Sequence, residues 1–140
     1  MTEMTDSTTQ TASEQYLLLY TDAPDGEPYS AESDDIDDWL ASTDPDGIRV
    51  IGERLTSRAD ARLVTKRAGQ VTVTDAPVAE FKEWFAGFDL INAPDLDTAV
   101  EIGSRHPCAR FGRVLVLPLM GAVQSNAVLA QTVAARAVAG

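Results

Sequence analysis

Ala68-Gly69 is flanked by two short runs rich in β-branched residues, Arg62-Leu-Val-Thr-Lys-Arg67 and Gln70-Val-Thr-Val-Thr74. A two-residue connection with glycine second commits its flanks to antiparallel pairing, because only a tight turn of matching twist can join them. That hairpin rules out an all-helical fold and fixes the middle of the element order. Before it, Tyr16-Leu-Leu-Leu-Tyr20 is a continuous apolar run closed by Asp22, Pro24 and Gly26, which predicts a buried first strand. Ser33 can cap a helix with Asp34 and Asp35 in its first turn, where the helix dipole favours anions. This helix would bury Ile36, Trp39 and Leu40, spaced i, i+3, i+4, and stop before Pro45 and Gly47. Ile48 to Ile51 predicts a second strand.

Beyond the hairpin, residues 75 to 83 read as a loop with Pro77, and Gly87 to Ile91 alternate as a strand. Asp95 opens a helix to about Ser104 with Leu96, Ala99, Val100 and Gly103 on one face, ending before Pro107. Arg113 to Leu119 form a last strand. The order is strand, helix, strand, hairpin, strand, helix, strand: an α+β, ferredoxin-like βαβ(ββ)βαβ plan with an inserted hairpin. Two helices cover one face of such a sheet. The alternating strands place further apolar side chains on the other face, and an uncovered apolar face marks an interface.

At 140 residues the chain is long enough for one core and too short for two ordinary domains. Residues 1 to 14 carry almost nothing apolar beyond two methionines and predict a disordered tail. The domain runs from 15 to 120. Residues 121 to 140 form an Ala/Val-rich tail, equally compatible with a loose segment and with an extra helix packed on a partner. Charge is unevenly placed: the net charge is −11, the first basic residue is Arg49, and 13 of the 22 acidic residues precede it. Phosphate neutralisation needs clustered Lys and Arg, so nucleic acid is not an expected partner. No apolar run reaches the length of a membrane span, and the N-terminus has no signal-peptide pattern; a cytoplasmic protein is expected. The lone Cys108 allows no intrachain disulfide, and no metal spacing or nucleotide fingerprint implies a metal or cofactor.

The segment Thr74-Asp-Ala-Pro-Val-Ala-Glu-Phe-Lys-Glu-Trp-Phe-Ala-Gly-Phe-Asp-Leu-Ile91 carries a family resemblance. It resembles the signature of the DGPF branch of the YCII-related family, Asp-Gly-Pro-Phe-Ala-Glu-Thr-Lys-Glu followed by a Gly-Gly-aromatic strand. Asp75, Pro77, Ala79, Glu80, Lys82, Glu83, Gly87, Phe88, Leu90 and Ile91 match; Ala76, Val78, Phe81 and Ala86 depart from it. The resemblance extends over about residues 16 to 120. It implies a homodimer whose sheets pack face to face in a dimeric α+β barrel. It assigns no reaction. Some relatives in the wider superfamily are small lyases or dehydrochlorinases using a His-Asp pair, and others are linked to alternative sigma factors as accessory modules.

Three carboxylates and one ammonium fall within nine residues of the motif: Asp75, Glu80, Lys82 and Glu83. They are candidate ligand-pocket residues, since loops held by a rigid sheet often carry function. The structural alternative is an Asx turn at Asp75 with ion pairs around Lys82. A catalytic version would use one carboxylate as general base and Lys82 to stabilise an anion. His106, the single histidine, is a second and weaker candidate, more readily explained as a helix-terminal residue. The sequence therefore points to a small-molecule or partner-binding homodimer. A carboxylate/lysine lyase and a sigma-factor accessory module are the alternatives.

Overall fold

The computed structural model describes residues 14–75 and 83–123. Six strands and three α-helices follow one another: β1 (Gln15–Asp22), α1 (Ile36–Thr43), β2 (Arg49–Arg54), β3 (Arg62–Arg67), β4 (Gln70–Asp75), β5 (Phe85–Asn92), α2 (Leu96–Ser104), α3 (Cys108–Phe111) and β6 (Gly112–Pro118). Strands β2, β5, β1 and β6 lie in that order in one sheet, and every neighbouring pair is antiparallel. This is the ferredoxin-like α+β arrangement, with the β3–β4 hairpin as a separate ribbon between β2 and β5. Ala68 and Gly69 both have positive φ, 50° and 79°, as a type I′ turn requires.

The most apolar run takes a central position. In β1, Tyr16, Leu18 and Tyr20 are buried under the helices with Ile91 of β5, and Leu18 is wholly inaccessible. Trp39 of α1 and Ala99 and Ile102 of α2 close this core from above. The helices are also tied by a hydrogen bond from the Trp39 indole N–H to the Ile102 carbonyl at 2.9 Å. Helix α2 starts as expected, with the Asp95 carboxylate accepting the Thr98 N–H at 2.8 Å. Its buried stripe differs from the predicted one. Ala99, Ile102 and Gly103 face the sheet, whereas Leu96 and Val100 are exposed. The cause is close approach: a Cβ on Gly103 would already stand 3.2 Å from Val114 Cγ1, so the smallest side chains make the contact. At α1, Asp34 rather than Ser33 accepts the first helical N–H, that of Ile36, at 3.3 Å.

On the opposite face two rows of apolar side chains cross the sheet. Leu117, Leu17, Leu90 and Ile51 are in register across all four strands, and Leu115, Leu19 and Phe88 form the next row, ending at Glu53. Leu115, Leu117 and Ile51 are exposed at this face. The tails expected at 1–14 and 121–140 and the loop expected at 75–83 fall outside the described residues except at Glu14, Asp75, Glu83 and 121–123. No helix among the described residues is long and apolar enough to cross a membrane.

Candidate ligand cavity

A cavity of about 460 Å³ opens between the helix-covered face of the sheet, at its β2–β5 end, and the segments preceding α1 and following α2. Its size falls within the range of small-molecule sites. Its floor is a side-chain network made by strand register. Asp89 sits within β5 between the apolar Phe88 and Leu90, and its carboxylate accepts the Tyr20 hydroxyl at 2.6 Å and Arg49 Nε at 2.7 Å. The Asp89 side chain is only 7% exposed and that of Arg49 26%. A buried charge of this kind persists only when paired, because a carboxylate stripped of water without a counter-charge costs several kcal/mol.

Gly52 makes room for that carboxylate. It pairs with Asp89 across the β2–β5 ladder, and a Cβ there would run into the Asp89 carboxylate and lie 2.8 Å from the Phe88 carbonyl oxygen. Glycine in a strand interior usually marks such a close approach. Burial and the Asp89 hydrogen bond both push the Tyr20 hydroxyl well above the usual phenol range, so it stays protonated and remains a donor.

His106 stands behind Tyr20. The two rings stack at 3.9 Å between centroids, and Trp39 meets the imidazole edge-on at 4.7 Å. The Cys108 backbone N–H donates to His106 Nδ1 at 3.0 Å, which puts the proton of the neutral ring on Nε2. Burial lowers the His106 pKa to about 4, against the opposing pull of Asp89, Asp34 and Asp35. Cys108, also on the cavity wall, is pushed up to about 11 by burial and is a thiol rather than a thiolate at neutral pH.

The His106 shift has a stability consequence with a definite sign. The fold holds the ring neutral, while the unfolded chain takes up a proton near pH 6.5. Stability from this residue is therefore complete above pH 6.5 and is lost as the pH falls towards 4. The loss is at most about 3–4 kcal/mol. Chemical denaturation at pH 7 and pH 4.5 should show a larger fall for the wild type than for His106→Phe, which keeps a ring in the stack and cannot titrate. Equal falls would contradict the assignment.

Asp75 and Glu83, two of the residues singled out from the sequence, lie away from this cavity. Asp75 ends β4 with its side chain 89% exposed, 3.6 Å from Arg62. Glu83 accepts the Thr21 hydroxyl at 3.1 Å and Arg113 Nε at 2.9 Å. Neither lines the cavity. Glu80 and Lys82 lie outside the described residues. His106 is part of the cavity wall, but Tyr20, Arg49, Gly52 and Asp89 were not singled out from the sequence. A carboxylate inside an apolar strand, and a glycine inside a β-branched one, were the available signals. Among the described residues, no group of three or more His, Cys, Asp or Glu side chains is placed to hold a metal.

Sheet order and cavity together define a ferredoxin-like α+β domain with a pocket between its sheet and its helix layer. The chain belongs to the YCII-related family: the family model for the YCII-related domain matches residues 14–121. No curated protein matches the sequence.

Proposed function

We propose that the chain is a homodimeric small-molecule-binding domain of the DGPF branch, with its ligand in the cavity floored by Tyr20, Arg49 and Asp89. The observation that carries this reading is the cavity itself: about 460 Å³, mostly apolar walls, and a few convergent polar groups fixed by their own hydrogen bonds. An accessory module acting only through its surface would have no use for such a floor. The perturbed groups favour binding over proton transfer. At neutral pH His106 is neutral and a weak base, Cys108 a thiol, and Asp89 is held by two donors. The dimer is supported by the two apolar rows on the back of the sheet, which leave Ile51, Leu115 and Leu117 exposed together.

Thermal-shift screening of the full chain against small organic acids, amides and alcohols tests the binding reading. A ligand present at 100 times its Kd should add about 2.7 kcal/mol of stability, a readily measured shift. If no compound of any of the three classes raises the melting temperature, the binding reading fails.

A further inference from the structure

The charges around the cavity differ in how far they are already satisfied. Arg49 and Asp89 hold each other at 2.7 Å. Asp34 takes the Tyr29 hydroxyl at 2.7 Å and the Ile36 N–H at 3.3 Å. The Glu53 carboxylate accepts the Arg54 backbone N–H at 3.1 Å. That leaves the Arg54 guanidinium as the one lining charge with no hydrogen bond or ion pair to a described residue. It sits at the end of β2, directly across the ladder from Gly87, where a Cβ would come within 3.2 Å of Arg54 Cα. The missing side chain at Gly87 lets the two backbones come this close.

Resting on the reading of this cavity as a ligand site, we propose that its ligands are small monocarboxylates with an apolar body. The carboxylate would be held by the Arg54 fork and the body packed against Ile36, Leu40 and Phe111. The guanidinium presents paired N–H donors matched to a planar carboxylate, and the pairing adds direction as well as charge. A doubly charged phosphate fits less well. With Asp89 matched by Arg49, the Asp34 carboxylate still lines the cavity beside this cation, and its repulsion doubles with the ligand's charge. The rim position sets the size of the effect, since an exposed pair is screened and a half-enclosed one less so.

Calorimetric titration of the full chain with 4-phenylbutyrate and with its neutral isostere 4-phenylbutyramide tests this. The acid should bind about tenfold more tightly than the amide, as a partly enclosed charge-assisted pair would give. Arg54→Met should remove that preference while leaving amide binding in place, and Arg54→Lys, which keeps the charge and loses the fork, should restore only part of it. The variants should melt with the wild type, because the side chain is exposed and makes no bond that folding depends on. Equal binding of acid and amide by the wild type, or an unchanged preference in Arg54→Met, overturns the monocarboxylate assignment and leaves the cavity reading standing. Failure of both probes to bind the wild type overturns the monocarboxylate assignment as well. If the neutral compounds of the screening panel fail too, the cavity reading falls with it.

Discussion

Gly52→Ala should destabilise the domain by about 2–4 kcal/mol, the range for breaking a buried, charge-assisted hydrogen-bond network. The added Cβ occupies the space of the Asp89 carboxylate, which must then leave Tyr20, Arg49 or both. Tyr20 is 4% exposed, so its hydroxyl would have no water to replace the lost acceptor. The nearby Phe88 carbonyl oxygen, 2.8 Å from the same Cβ, blocks the alternative of tilting the new methyl along the strand. For a domain of this size each kcal/mol is worth roughly 4–8 °C, so the melting temperature should fall by at least about 8 °C. The same variant should lose cavity ligands even at temperatures where it remains folded. A melting temperature within about 2 °C of the wild type would mean that the Asp89 network is not the rigid floor described.

The second large effect concerns assembly. Leu115→Lys combined with Leu117→Lys should convert a dimer into a monomer, seen in sedimentation as a fall from twice the 15.0 kDa chain mass to once that mass. Both leucines are about two-fifths exposed in the isolated chain, so lysine there should cost the protomer little. In a face-to-face dimer they would be buried with the rows led by Leu17 and Leu19, and each lysine would have to lose its hydration without a counter-charge. A wild type already sedimenting as a stable 15.0 kDa monomer contradicts the dimer outright. A double variant that stays dimeric moves the interface away from this face.

What the sequence revealed and what it hid follow from the range of the interactions. The hairpin and the Asp95 cap were legible because each depends on residues within four positions: a positive φ at Ala68 and Gly69, and an Asp95 carboxylate reaching the Thr98 N–H. Helix α3, Cys108–Phe111, was missed because a single turn leaves no periodic stripe to read. The exposure of Leu96 and Val100 was hidden because hydrophobicity alone cannot tell which side of an apolar helix lies closest to a sheet; the fit of Gly103 against Val114 decided it. The candidate site was the hardest part. Asp89 meets Arg49 across 40 positions and Tyr20 across 69, and only the β2–β5–β1 register brings the three together. The motif charges Asp75, Glu80, Lys82 and Glu83 stood out because they are close in sequence, yet the structure turns Asp75 to solvent and ties Glu83 to Arg113.

A ligand titration followed by the ¹H–¹⁵N correlation spectrum separates the two places where a ligand could bind. With the tightest compound from the screen, the amides of Gly52, Arg54, Phe88, Asp89 and Cys108 should shift together and saturate along one binding curve, because they surround one cavity. Shifts gathered instead at Asp75 and Glu83, with the cavity amides unmoved, would contradict the account and return the site to the motif loop.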